Sequence, residues 1–113
     1  MRTSQVIQGR PVEYDEVGLD EAERLQAEGA TVVDVRNPDE RAAYRVRGSI
    51  HIPLAELADR AAEIPEGRVL TVCAKGLRSA MAASILEQAG RADVSSVAGG
   101  TDAWAAAGKP TDR

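Results

Sequence analysis

The chain is 113 residues long, 43% hydrophobic and 28% charged, and its 14 basic against 18 acidic side chains leave a net charge of −4. That length supports one domain with a real core rather than two, and the acidic balance argues against nucleic acid as a partner. A single cysteine and a single histidine exclude an internal disulfide and a multi-thiolate zinc site, and no apolar run nears the roughly 20 residues of a membrane span.

Met1 to Gln8 lacks the apolar stretch of a secretory signal, so a cytoplasmic protein with no membrane contact, no metal and no cofactor is expected. Residues 1–11 show no clear periodicity and read as an N-terminal extension, ahead of one domain over 12–110 and a C-terminal tail over 111–113. Gly18-Leu19-Asp20-Glu21 opens a helix whose apolar face is Leu19, Ala22 and Leu25 and which Gly29 ends. The β-branched run Thr31-Val32-Val33-Asp34-Val35 is a buried strand. Asn37 then caps a helix with Pro38 at its first position and Glu40 placed to return a bond.

Gly48 to Pro53 is a second short strand closed by proline, and Leu54, Leu57, Ala58, Ala61 and Ile64 follow at helical spacing. Val69 to Val72 is the third strand. Beyond it Met81, Ser84, Ile85 and Ala89 mark one face of a helix that Gly90 ends. Val94 to Ala98 is the fourth strand, Gly99-Gly100 a turn, and Thr101 or Asp102 caps a last helix carrying Trp104. Strand and helix alternate throughout, which predicts an α/β fold with a mostly parallel sheet and helices on both faces. Sites in such sheets lie at the carboxyl ends of strands, where Asp34-Val35-Arg36, His51-Ile52-Pro53 and Cys73-Ala74-Lys75 all fall.

Cys73 carries most of the chemistry. It opens the loop Cys73-Ala74-Lys75-Gly76-Leu77-Arg78-Ser79 between a strand and a helix, where backbone N–H groups and the positive end of the helix dipole face the thiol. Lys75 and Arg78 add two cations, and each of these features favours the reactive thiolate. Gly76 permits the backbone curl of an anion nest, and Ser79 is placed to cap the helix or to bond the sulfur. Of the remaining polar residues, Asp34 holds a neighbouring loop through backbone N–H groups, and Arg36 either pairs with Glu40 or contacts substrate. His51 and Trp104 read as structural.

The chain resembles the rhodanese domain, in particular the single-domain sulfurtransferases. Four motifs carry the resemblance: Asp34-Val35-Arg36 with Glu40, Gly48 to Pro53, the Cys73 to Ser79 loop, and Gly99-Gly100-Thr101-Asp102-Ala103-Trp104. It implies a three-layer α/β/α domain with a central sheet of four to five strands. It implies, too, that Cys73 takes sulfane sulfur from a donor, thiosulfate or a persulfide, and passes it from a persulfide to cyanide or a thiol. The loop Ala74 to Ser79 would bind the anion, with Asp34, Arg36 and Glu40 in support. Family members usually carry Gly-His-Ile where this chain reads Tyr44-Arg45-Val46, a difference at the mouth of the site.

Other functions compete on the same residues. Phosphatases of related fold place a longer stretch between cysteine and arginine than Ala74, Lys75, Gly76 and Leu77, so this loop suits a single sulfur better than a tetrahedral oxyanion. A persulfide carrier served by a cysteine desulfurase or a thioredoxin-like protein uses the same cysteine, and a regulatory module usually lacks it. With no second cysteine in the chain, the sulfur must leave to an external acceptor.

Overall fold

The computed structural model describes residues 1–113. Strands β1 (Arg2–Ile7), β2 (Arg10–Val17), β3 (Thr31–Asp34), β5 (Ile50–His51), β6 (Val69–Val72) and β7 (Val94–Val97) form one sheet in the order β1-β2-β7-β6-β3-β5. All its pairings are parallel except the β1–β2 hairpin. Parallel neighbours need crossovers, which helices α1 (Leu19–Ala27), α2 (Pro38–Ala43), α3 (Leu57–Arg60) and α4 (Leu77–Gln88) supply, while α5 (Gly100–Ala106) follows the last strand of this sheet.

The three layers expected from the resemblance are present. One core packs α3 and α4 on one face through Leu57, Ala80, Ala82, Ala83 and Leu86. The other packs α1 and α5 on the opposite face through Ala22 and Trp104. Strand alternation divides the side chains between them: Val69 faces α4 while Leu70 and Val72 face α5, so the next odd position, Cys73, returns to the α4 side.

Three expectations are corrected. The sheet has six strands rather than four to five, because residues 1–11 are not a loose extension: β1 pairs with β2 from Arg2↔Asp15 to Ile7↔Arg10. The connecting Gln8 and Gly9 have φ of 53° and 76°, the two positive values a tight two-residue hairpin turn requires. The tail is also paired, since β8 (Thr111–Asp112) lies antiparallel to β4 (Arg45–Val46). The periodic run from Leu54 to Ile64 yields only the one-turn α3 between 3₁₀ turns at Leu54–Glu56 and Ala61–Glu63. No helix is long and apolar enough to cross a membrane.

Candidate active site

β6 ends where the buried Val69-Leu70-Thr71-Val72 run gives way to Cys73, and α4 begins at Leu77, so residues 73–76 form the whole connection. Gly76, with φ of 116°, turns the chain into the helix through a conformation that a side chain would strain. The turn folds back over the thiol. Gly76 N–H donates to Cys73 Sγ at 3.0 Å and Ser79 N–H at 3.3 Å, while Ser79 Oγ lies 3.5 Å from the sulfur. The N–H groups of Ala74, Lys75, Leu77 and Arg78 have no backbone acceptor. Donors aimed at, or open around, one sulfur are what an anion nest requires.

α5 clasps the outside of this loop. Thr101 N–H donates to the Cys73 carbonyl at 2.7 Å and Asp102 N–H to the Ala74 carbonyl at 3.1 Å. A trans peptide points its C=O and the following N–H in opposite directions, so these two bonds turn the Ala74 and Lys75 N–H groups away from α5. Only glycine fits at the point of contact. A Cβ on Gly100, whose φ is 63°, would stand 2.2 Å from the Cys73 carbonyl oxygen.

A buried ionic network supports the floor beside the loop. Asp34, fully buried at the end of β3, accepts from Arg36 Nη2 at 2.8 Å, from the Arg36 backbone N–H at 3.0 Å, and from Arg41 Nη1 at 3.2 Å. Burial works against the Arg36 charge, but its bonds to Asp34 outweigh this and raise its pKa. His51 Nε2 lies 2.8 Å from the Arg36 carbonyl, which can only accept, so Nε2 carries the proton. Nearer the loop, Arg78 makes two bonds to Glu40, and the guanidinium holds the Glu40 carboxyl down to about 2.

A family model for the rhodanese-like domain matches residues 19–107. The chain belongs to the rhodanese-like domain family. A curated relative, thiosulfate sulfurtransferase GlpE of Pseudomonas entomophila, is 36% identical over 94 residues, covering 81% of this chain and 85% of its own. A transcriptional regulator of the HTH type from Mycobacterium tuberculosis is 39% identical over 92 residues, but the match spans only 40% of it. Among solved structures, a rhodanese-related protein from Thermoplasma volcanium superposes with a TM-score of 0.80 at 30% identity, covering 88% of this chain and 98% of that one. The protein is a rhodanese-type sulfurtransferase.

The rhodanese loop reads differently from its sequence at the cations. Arg78 is engaged by Glu40, and the Lys75 side chain is 84% exposed at the rim, 4.0 Å from Asp102. Arg36 pairs with Asp34 and not with Glu40. α2 starts only at Pro38, so Arg36 lies outside the helix on which a four-residue spacing brings side chains together. Cys73 is itself 1% exposed and joins the α4-side core. The last helix takes Gly99 as its N-cap rather than Thr101 or Asp102, which are its second and third residues; their N–H groups, the ones a capping side chain would accept from, bond to the Cys73 loop instead.

Sequence reading missed Ser96 and left the contacts of Tyr44, at the mouth, and of Gly100, in the turn, unassigned. Ser96 Oγ lies 2.7 Å from Ser79 Oγ, Tyr44 OH donates to Asp102 at 3.2 Å, and Gly100 makes the close approach described above. A signal existed for Ser96, since strand alternation in Val94-Ser95-Ser96-Val97 sends one serine to each face of the sheet.

Proposed function

We propose that Cys73 carries sulfur as a persulfide, with thiosulfate as a small-molecule donor and cyanide or a thiol as acceptor. The Cys73 thiolate attacks the outer sulfur of thiosulfate. A new S–S bond forms, the thiosulfate S–S bond breaks, and sulfite leaves with its electron pair. A cyanide or thiolate then attacks the outer persulfide sulfur, bonds to it, and returns Cys73 as thiolate. The observation that carries this reading is the pair of N–H groups, from Gly76 at 3.0 Å and Ser79 at 3.3 Å, that converge on Cys73 Sγ. The open N–H groups of Ala74, Lys75, Leu77 and Arg78 supply further donors for the added anionic sulfur.

Of the supporting residues, Asp34 and Arg36 hold the end of β3 beside the loop, and Glu40 holds Arg78. Lys75 is the cation left to draw an anionic donor to the mouth. A second reading keeps the chemistry but takes protein partners: a cysteine desulfurase as donor and a thioredoxin-like thiol as acceptor. The 55% exposed Leu77, beside Lys75 at the mouth, favours it by offering an apolar contact to a protein surface.

Intact mass after incubation with thiosulfate, then with cyanide, tests the proposal. Wild type should gain one sulfur and lose it as thiocyanate, and Cys73→Ser should gain none. Loading of the Cys73→Ser variant would sink the persulfide assignment. Loading by a desulfurase alone would select the carrier.

A further inference from the structure

The hydroxyl of Ser96 has one partner in the protein. It sits on β7, 1% exposed, and its Oγ lies 2.7 Å from Ser79 Oγ. Ser79, also fully buried, is in turn 3.5 Å from Cys73 Sγ. The register places them together. Ser96 is opposite Thr71, Thr71 and Cys73 share the α4 side of the sheet, and Thr71 Oγ1 donates to the Ser79 carbonyl at 2.8 Å, which fixes Ser79 above the sulfur.

The chain of contacts from Ser96 to Ser79 to Cys73 therefore has two links. Its hydrogens decide its direction. If Ser79 donated to Ser96, the Ser96 hydrogen would be buried with no acceptor, which is the costly arrangement for a polar group. Ser96 must donate to Ser79, and that leaves the Ser79 hydrogen a single acceptor, the sulfur. With a thiol, three hydrogens compete for two links and one is orphaned. With an anionic sulfur, two hydrogens fill two links.

We infer that Ser96 is a positioning residue for sulfur transfer: it donates to Ser79 Oγ and so directs the Ser79 hydroxyl onto Cys73 as a donor to anionic sulfur. The inference rests on the reading of Cys73 as the sulfur carrier. Ser96 never touches the sulfur. Its donation polarises the Ser79 O–H, which strengthens the bond that Ser79 makes to charge. The Gly76 and Ser79 N–H groups supply fixed donors, and Ser79 adds a hydroxyl whose strength as a donor depends on its buried neighbour.

The experiment is the pH profile of Cys73 alkylation by iodoacetamide, followed by intact mass, for wild type, Ser96→Ala, Ser96→Thr, Ser79→Ala and the double Ser79→Ala/Ser96→Ala variant. Ser96→Ala should slow alkylation roughly fivefold on the acid side of the profile and move the profile to higher pH, the effect of losing one neutral hydrogen bond behind the Ser79 hydroxyl. Ser96→Thr keeps a hydroxyl on a residue suited to a strand and should restore the wild-type profile. In the Ser79→Ala background, Ser96→Ala should move the profile no further. Superimposable Ser96→Ala and wild-type profiles would overturn the inference, as would an equal shift with and without Ser79. Alkylation needs no sulfur donor. Failure of the wild type to load sulfur from any donor thus refutes the sulfur-carrier reading while the profiles still judge Ser96.

Discussion

Arg78 and Glu40, 38 residues apart in the chain, are joined by two hydrogen bonds of 2.6 and 2.8 Å that tie the start of α4 to the start of α2. Glu40 also accepts from the Asn37 backbone N–H at 3.0 Å, so a single carboxylate closes the α2 entry and holds the loop arginine. The loop is braced, and its arginine is held by a partner other than substrate.

The substitution Glu40→Gln should release that arginine. The amide would keep the shape of the side chain and remove the charge that binds the guanidinium, leaving Arg78 donors available to an anionic sulfur donor. KM for thiosulfate should fall about threefold to fivefold with kcat little changed, the size of one charge-assisted hydrogen bond weakened by solvent. Steady-state kinetics check this. An unchanged KM would mean that Arg78 does not reach the donor.

The same pair predicts a pH dependence of stability. Glu40 has its pKa lowered on folding from 4.5 to about 2, chiefly by the Arg78 hydrogen bonds. A carboxyl lowered in this way stabilises the folded state above its unfolded value and loses that contribution as pH falls through its folded value. The melting temperature of wild type should therefore exceed that of Glu40→Gln at neutral pH, and the gap should close between 4.5 and about 2. Both side chains are about a third exposed, so solvent screening limits the gap to a few degrees. A gap constant with pH would show that the variant changes packing rather than charge.

Much of this arrangement was legible from the residues alone. The β-branched runs at 31–35 and 69–72, the Asn37-Pro38 helix entry and the Cys73 to Ser79 loop all fold as their patterns dictate, because each is decided by local backbone preference and burial. What escaped was decided elsewhere. Arg2-Thr3-Ser4-Gln5 on β1 lies at the sheet edge with little to bury, so its alternation is weak, and Gln8 takes a positive φ that Asn or Asp would have announced. The partners of Arg36 and Arg78 depend on where long, flexible side chains find a carboxylate in space. Spacing along the chain carries no such information for residues outside a common helix.

The buried carboxylate of Asp34 should dominate stability at the floor of the site. Asp34→Ala would leave Arg36, 2% exposed, without its counter-ion, and would strip Arg41 of one of its three bonds. Breaking a buried pair by removing one partner costs about 3–5 kcal/mol. Urea denaturation should show a loss of that order, and a loss under about 1 kcal/mol would mean that water reaches the guanidinium and replaces the carboxylate.

Gly100 and Gly108 separate the clasp on the Cys73 loop from the ordinary cost of a side chain at positive φ. Their φ values are 63° and 74°, so alanine strains the backbone at both, by about 1–2 kcal/mol. The surroundings differ. A Cβ at Gly108 meets nothing within 4 Å, whereas one at Gly100 would stand 2.2 Å from the Cys73 carbonyl oxygen and 2.5 Å from that of Ala74. These are the two carbonyls that accept from Thr101 and Asp102, so relieving the clash pushes α5 off the loop and frees the peptide planes it had fixed. Gly108→Ala should lower stability modestly and load sulfur at the wild-type rate. Gly100→Ala should lose more than about 2 kcal/mol and, at temperatures where it remains folded, load sulfur at least roughly tenfold more slowly. Denaturant melts paired with loading rates measured by intact mass decide the matter. If folded Gly100→Ala loads as fast as Gly108→Ala, then α5 stabilises the fold without shaping the nest around the sulfur.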